Sequence, residues 1–177
     1  MARKKTTVKP KYKKSKSEGK IAHKKTVVDG ITFDSKMESQ YYEYLKDLKD
    51  RGVIREFELQ PKFLLQDKFI VVEGETIFGS DKRFNSLKRK TKAETIRAIN
   101  YIADFKVIYN DGREEIIDTK GRATADFEIK RKMLLCKFPT LTYKVLIKDK
   151  DEWVDYYQYN KDKRARKRAK NKSKEDK

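Results

Sequence analysis

Two apolar segments joined by a short turn constrain the fold of this chain most strongly. Residues 101–109 (YIADFKVIY) and 113–121 (REEIIDTKG) flank an Asn-Asp-Gly run. Both segments contain the β-branched and aromatic residues typical of strands, and the Asn-Asp-Gly run favours a tight turn. The two segments therefore predict an antiparallel hairpin, which carries Asp104, Asp118 and Lys120.

The length of the turn decides whether the two aspartates share a face of this hairpin. Side chains alternate along a strand, so Asp118 and Lys120 point the same way. A two-residue turn would set Asp104 opposite Thr119, on the other face. A three-residue turn closed by a left-handed Gly112 sets Asp104 opposite Asp118. We predict the three-residue turn, because Asn-Asp-Gly fits a type I turn followed by a glycine bulge.

Two opposed carboxylates form a plausible cation site. Their Cβ atoms would lie roughly 5 Å apart, close enough for both groups to bind one ion. Buried like charges repel unless a cation neutralises them, and Lys120 alone leaves a net charge of minus one, which suits magnesium or manganese. The alternative is an Asp–Lys ion pair on a solvated sheet face. The apolar residues on both faces of these strands count against it, because isolated acids in buried strands are costly.

The order of these residues resembles the metal site of the PD-(D/E)XK nuclease superfamily. Asp104 lies in one strand and Asp118-Thr119-Lys120 ends the next, with an aspartate where a glutamate is commoner. Residues 30–148 also resemble small phage and prophage endonucleases of that superfamily, similar to Holliday-junction resolvases. The matching runs are GITFDSKMESQYYEYL, LQPKFLL, INYIADF, IIDTKG and FEIKRKMLL.

The resemblance implies a metal-dependent DNA endonuclease that uses Mg²⁺, with Mn²⁺ as a substitute. Asp104 and Asp118 would ligate the metal, and the Thr119 carbonyl would add an oxygen. Lys120 would orient or activate the attacking water and offset charge on the phosphate. The implied fold is α/β, a restriction-endonuclease-like core of order αβββαβ with a mixed central sheet flanked by helices. The implied substrate is branched or structured DNA during phage replication, recombination or packaging, in the bacterial host cytoplasm. Cutting two strands would favour a homodimer.

Glu38 has two interpretations. Residues 35–50 predict an amphipathic helix with an apolar stripe that includes Met37 and Tyr41, and Glu38 lies on the margin of that stripe. Ser35 and Glu38 also fit a capping box, in which Glu38 bonds the Ser35 backbone amide. The resemblance instead implies an additional metal or water ligand, which nucleases of the superfamily often supply from their first helix.

Charge is concentrated at the two ends of the chain. The sequence has 46 basic and 28 acidic residues, for a net charge of +18. Residues 1–25 hold 11 basic residues and one acidic, residues 160–177 hold 10 and three, and residues 26–159 are nearly neutral. We therefore predict a nuclease domain over 26–159 between two disordered basic arms that bind the phosphates of nucleic acid. Solubility tails or a targeting signal are the alternative.

Further DNA contacts are predicted inside the domain. Residues 66–94 suggest an irregular insertion or a long hairpin that grips a duplex, although a solvated loop fits equally well. Arg97 is expected near the active face, and the resemblance implies a rim position for Lys130, for which a solvated helix face is the alternative. The predicted DNA-binding residues are Lys88, Arg89, Lys90, Lys92, Arg97 and Lys130.

The rest of the sequence predicts the remaining elements of one domain. Pro61 argues for an edge strand or an interruption. The aromatic residues near Trp153 suggest either the docking of a last helix or stacking on bases. The predicted elements are a hairpin over 26–33, a strand over 57–65, a helix over 126–138 and a short strand over 143–147.

Several features exclude other classes of protein. No apolar run approaches 18 residues, so no membrane span is expected. The single cysteine forbids an internal disulfide and fits a reducing cytoplasm. His23 is the only histidine, which disfavours histidine-based zinc sites and Ser-His-Asp catalysis. The main alternative to a nuclease is a non-catalytic nucleic-acid-binding protein, either architectural or ribosome-associated, with the same basic arms.

Overall fold

The computed structural model describes residues 25–175, and the predicted N-terminal arm lies almost entirely outside them. The chain folds into a mixed α/β arrangement. The strands are β1 (Thr26–Val28), β2 (Ile31–Phe33), β3 (Ile54–Leu59), β4 (Lys62–Gln66), β5 (Phe69–Val72), β6 (Glu75–Phe78), β7 (Ile99–Ile102), β8 (Phe105–Tyr109), β9 (Glu114–Thr119), β10 (Tyr143–Asp149) and β11 (Glu152–Asp155). The helices are α1 (Lys36–Asp50), α2 (Phe84–Thr91), α3 (Ala125–Lys137) and α4 (Tyr156–Glu175).

A five-stranded mixed sheet of order β11-β10-β9-β8-β3 forms the centre of the molecule. All neighbours are antiparallel except β9 and β10, which run parallel and are joined by α3. A parallel pair needs a crossover of this kind, because a tight turn cannot return the chain to the same end of the sheet. The prediction of an α/β domain with a mixed central sheet is confirmed.

Helices cover both faces of the sheet. On one face, Tyr41 and Leu45 of α1 pack against Phe105 and Ile117 of the central hairpin. On the other face, Leu134 of α3 belongs to a second cluster with Ile116 of β9 and with buried residues of the β4–β7 pair. Each such fully buried side chain contributes about 1.5–3 kcal/mol to folding. The two clusters hold the central hairpin rigidly from both sides.

A bend in a long antiparallel ribbon of strands determines the position of Asp104. Strands β3 and β8 pair in the same register as β4 and β7, so the two pairs form one ribbon interrupted at Gln60-Pro61. The Gln60 N–H donates to the Asp104 carbonyl at 3.0 Å, and the Ala103 N–H donates to the Pro61 carbonyl at 3.1 Å. Gln60 has a left-handed φ of 52°, and Pro61 has no N–H to continue the ladder. The predicted interruption at Pro61 is confirmed, and Asp104 lies at the corner of the bend.

The segment between β4 and β7 is more regular than an irregular insertion. Strands β5 and β6 form a hairpin, and α2 packs on it. Ile70, Ile77 and Phe84 are almost fully buried in a small core of their own. The long-hairpin alternative therefore describes residues 66–94 better, because the segment contains a regular hairpin with a small apolar core.

The C-terminal segment departs from the predicted disorder. Residues 156–175 form α4 instead of a disordered arm beginning at residue 160. The sequence of α4 lacks glycine and proline and is rich in Lys, Arg and Ala, which are strong helix formers. Tyr156 and Tyr157 dock its first turn on the body of the protein. Within residues 25–175, no helix combines the length and the apolar character needed to cross a membrane.

Candidate active site

The turn between β8 and β9 has the predicted three-residue form. The Tyr109 N–H donates to the Arg113 carbonyl at 2.9 Å, which closes the hairpin around three residues. Gly112 has a φ of +86°, a conformation that L side chains rarely adopt. The resulting register places Asp104 directly opposite Asp118.

The two carboxylates and the lysine converge. Lys120 Nζ lies 3.3 Å from Asp104 Oδ2 and 3.1 Å from Asp118 Oδ1, so both aspartates face the same side of the sheet. The exposed fraction of the side chain is 1% for Asp118, 14% for Asp104 and 23% for Lys120. The alternative of an ion pair on a solvated sheet face is therefore wrong.

Two tyrosines hold the Asp118 carboxylate in place, and sequence reasoning missed both. The Tyr101 and Tyr143 hydroxyl groups donate to the same oxygen, Asp118 Oδ2, the latter at 2.7 Å. Burial and the Asp118 charge raise the pKa of both phenols above the usual range, so both remain protonated donors. This arrangement leaves Asp118 Oδ1 directed at Lys120.

Asp104 accepts hydrogen bonds from the strand opposite. Its Oδ2 receives the Thr119 N–H at 2.7 Å and the Thr119 hydroxyl at 3.1 Å. Burial, together with the charges of Asp118 and Glu38, nevertheless outweighs the opposing effect of Lys120 and raises the pKa of the Asp104 carboxyl to about 7. The protein by itself therefore disfavours the ionised form of this carboxyl.

Lys120 remains an ammonium ion in this environment. Burial alone would lower its pKa, but the Asp104 and Asp118 carboxylates outweigh that effect and raise the pKa above its ordinary value. The ammonium group also lies 5.3 Å from the centre of the Phe127 ring, a favourable cation–π distance. Lys120 is therefore suited to bind an anion or to donate to a water, and unsuited to accept a proton at neutral pH.

Glu38 takes part in the N-terminal cap of α1 and also lies near Asp104. Ser35 caps α1 by accepting the Glu38 N–H at 3.1 Å, and its hydroxyl donates to Glu38 Oε1 at 2.8 Å. The cap therefore uses the Ser35 hydroxyl, whereas the capping box predicted a bond to the Ser35 backbone amide. Glu38 also lines a cavity of about 110 Å³ together with Asp104. Its carboxylate is close enough to raise the pKa of Asp104.

An open cleft gives access to Lys120 and Glu38. The cleft has a volume of about 700 Å³ and lies between the start of α1 and the loop that follows β9. Glu38, Thr119, Lys120 and Phe127 are among the residues that line it. A polymer can therefore reach Lys120 and Glu38 from the side without threading an end.

A family comparison covers most of the chain. The model of a family described as "Protein of unknown function (DUF1064)" matches residues 18–153, about three quarters of the sequence. The chain belongs to the DUF1064 family. Neither the curated proteins nor the solved structures contain a match. The matched range of this DUF1064 protein includes Glu38, Asp104, Asp118 and Lys120, and α4 lies beyond it.

The donor set of this candidate site is small. Within the part of the chain that the structure describes, no group of three or more His, Cys, Asp and Glu side chains has an arrangement that would hold a metal by itself. Asp104 and Asp118 are the two carboxylates that meet at Lys120. Any metal at this position would need further oxygen ligands from the backbone, from water or from a substrate.

The basic residues of α2 lie outside this cleft. They belong to the hairpin–helix unit with its own core, and all are exposed. None of them lines the cleft in the described part of this DUF1064 chain. These residues are Lys88, Arg89 and Lys90 of α2 and Lys92, which follows the last residue of the helix.

Two further predicted contacts also stand apart from the carboxylates. Arg97 is exposed just before β7, and no lining residue of the cleft comes from this segment of the described chain. Lys130 forms an ion pair with Asp126 one turn earlier on α3, at 3.3 Å. This pairing agrees with the solvated-face alternative for Lys130.

Proposed function

We propose that this protein is a metal-dependent DNA endonuclease that hydrolyses phosphodiester bonds. The observation that supports this most is the pair of opposed, largely buried aspartates that share one lysine ammonium beside an open cleft. Burying two like charges is unfavourable unless a cation compensates them. A structural ion pair would need only one carboxylate, so the second acid is best explained by a further positive charge.

Asp104 and Asp118 fit magnesium or manganese by their chemistry. Carboxylate oxygens are hard ligands of the kind these ions prefer. Burial raises the pKa of Asp104 despite the nearby Lys120, so a further cation would stabilise its ionised form, and Glu38 lies nearby as a third acid. The Thr119 carbonyl is a further oxygen that we propose for this site. A cation bound here would polarise a phosphoryl oxygen and lower the pKa of a bound water.

Lys120 has the clearest role among the residues of the chain. Its ammonium group is held beside both carboxylates and borders the cleft, so it meets a phosphate oxygen that enters there. A fixed ammonium ion stabilises the charge that develops on the phosphate in the transition state. The same group donates a hydrogen bond that orients the attacking water, and Glu38 accepts one from that water.

Branched or structured DNA is the substrate we propose. The cleft is open at its sides, and basic side chains lie on α2 and α4 in different parts of the molecule. Such an arrangement suits several duplex arms better than one end of a single duplex. Together with the resemblance to phage endonucleases, this favours a role in phage DNA replication, recombination or packaging in the cytoplasm of a bacterial host. Cutting two strands would require two such sites, which a homodimer would supply.

A cleavage assay tests the proposed function. The protein is incubated with linear, nicked, forked and four-way DNA, with magnesium or with EDTA, beside Lys120→Ala. We expect magnesium-dependent cuts with 5′-phosphate ends, strongest on branched DNA, and at least about a 100-fold lower rate for Lys120→Ala. Lys106→Ala is the matched control, because Lys106 pairs with Glu114 at 2.9 Å on the same hairpin. Absence of cleavage with both Mg²⁺ and Mn²⁺, or equal rates for the two variants, would contradict the proposal.

A non-catalytic nucleic-acid-binding protein is the second candidate. The exposed, strongly basic surface of α4 favours it, since such a surface binds phosphates without any chemistry. This candidate predicts that Asp118→Asn and Lys120→Ala bind DNA as the wild type does. It also predicts that neither the wild type nor these two variants cleave DNA.

A further inference from the structure

A groove runs between α4 and the start of α3. Its volume is about 580 Å³. The Tyr156 hydroxyl accepts the Ala123 N–H at 2.9 Å, and the Tyr157 hydroxyl donates to Glu128 at 2.8 Å. These two bonds fix α4 to the loop after β9 and to α3, so the groove has two walls that are held together.

The groove carries an excess of positive charge. Lys161, Arg164 and Arg168 line it from α4, at spacings of three and four residues that place them on one helix face. Glu128 is the acidic residue among the lining side chains that the structure describes. Its carboxylate is already engaged by the Tyr157 hydroxyl.

The opposite side of α4 provides an internal comparison. A second groove there has a similar volume, about 610 Å³, but its charges balance. Its basic residues are Lys150, Lys163 and Arg166, and its acidic residues are Asp149, Asp155 and Asp162. Only the groove against α3 therefore combines a concave shape with unbalanced positive charge among the described residues of α4.

The positive groove adjoins the cleft of the proposed active site at Thr124. Thr124 lines both, and the loop from Gly121 to Thr124 connects Lys120 to the start of α3. A DNA strand whose phosphates pass Lys120 would therefore continue past this loop and along α4.

We propose that this groove binds the phosphate backbone of the DNA strand that leaves the active-site cleft, a role that rests on the proposed function. From residue 161 to residue 168, the helix rises by about 10 Å. At about 3.4 Å of axis per phosphate of one strand, this length spans roughly three phosphates. From Lys161 to Lys172 the exposed surface of α4 has no large apolar side chain. A helix that lies on a membrane inserts such side chains, so a linear polyanion is the better partner.

The salt dependence of DNA binding tests this groove. The full chain, Arg164→Ala/Arg168→Ala and Lys163→Ala/Arg166→Ala are titrated into a fluorescent forked DNA in EDTA over a series of salt concentrations. Both double variants remove two charges and introduce two alanines on the same helix. We expect the groove pair to lower the slope of log K against log salt by about two and to weaken binding roughly tenfold. The control pair should change the slope by clearly less than one.

Equal changes for the two pairs would overturn the inference, because they would mean that α4 acts only as a general polycation. No change for either pair would overturn it as well. Competition with polyglutamate provides a further test. If the groove pair weakens polyglutamate binding and leaves DNA binding intact, the partner is an acidic protein surface and the inference fails.

The outcomes for the groove and for the proposed function can be separated. Binding in EDTA does not require hydrolysis, whereas the comparison of Lys120→Ala with Lys106→Ala does. If the groove pair behaves like its control while cleavage still depends on Lys120, the groove inference fails and the nuclease stands. If no DNA is cleaved while the groove pair lowers the salt slope selectively, the nuclease fails and the groove remains a DNA-binding surface.

Discussion

At the residue scale, Asp104 shows how burial shapes the site. Its carboxyl lies between the Thr119 amide and the Lys120 ammonium, and burial raises its pKa from 3.8 to about 7. Between those two pH values the folded protein holds a proton that the unfolded chain releases. Stability therefore falls as pH rises from about 4 to about 7, and it levels off above that range.

Replacement of this carboxyl should remove the pH dependence. In Asp104→Asn the amide does not ionise, so the free energy of unfolding should not decline between pH 4 and pH 7 as that of the wild type does. The difference in unfolding free energy between the wild type and Asp104→Asn should change by a few kcal/mol from pH 4 to pH 7, since each pKa unit corresponds to about 1.4 kcal/mol. Urea denaturation in EDTA at a series of pH values measures it. Parallel curves for the two proteins would show that Asp104 has an ordinary pKa.

The tyrosine pair gives a second prediction at the residue scale. Tyr101→Phe and Tyr143→Phe each remove one donor to Asp118 Oδ2 while keeping the ring. Because partners of a metal-ligating carboxylate orient it, each variant should lower manganese affinity and the cleavage rate by about 10- to 100-fold. DNA binding in EDTA should stay unchanged. Tyr157→Phe, which loses only a bond to Glu128, is the control. An equal loss in the control would mean that the effect is general destabilisation.

At the element scale, the hairpin of β8 and β9 was predictable because its signals are local. The Asn-Asp-Gly turn fixed the register, and the register decided which side chains face each other. The cap of α1 by Ser35 was predicted from a similar local signal, whereas the cap of α3 by Thr124 was not predicted. The helix α4 was missed because its charge suggested disorder, although its residues are good helix formers.

A glycine substitution tests the turn. Gly112→Ala forces an alanine into a φ of +86°, although a Cβ there would meet no other atom. The expected cost is about 1–2 kcal/mol of unfolding free energy, caused only by the backbone conformation. Gly121→Ala is the control, because a Cβ there would make an ordinary contact of 3.7 Å with Met37. If both substitutions cost the same in urea denaturation, the left-handed turn is not what holds the register.

At the scale of the whole molecule, the site depends on contacts between distant segments. Tyr143 reaches Asp118 because β10 runs parallel to β9 after the α3 crossover. Asp104 reaches Thr119 because the β3–β8 and β4–β7 ribbon bends at Gln60. Glutamine rarely adopts a left-handed conformation, so the sequence does not predict this bend. Neither relation has a local sequence signal. The charged residues of the site were therefore predicted from the sequence, but the neighbours that hydrogen-bond their carboxylates were not.

Manganese binding, followed by the loss of the free-ion electron paramagnetic resonance signal, tests the central claim most directly. The wild type should bind Mn²⁺ with a dissociation constant of about millimolar or tighter, through hard oxygen ligands. Asp104→Asn and Asp118→Asn should each abolish this binding. Glu114→Gln, the same chemical change at an exposed acid on β9, should leave it intact. If the wild type fails to bind Mn²⁺, or if all three variants bind it equally, the two aspartates do not form a cation site.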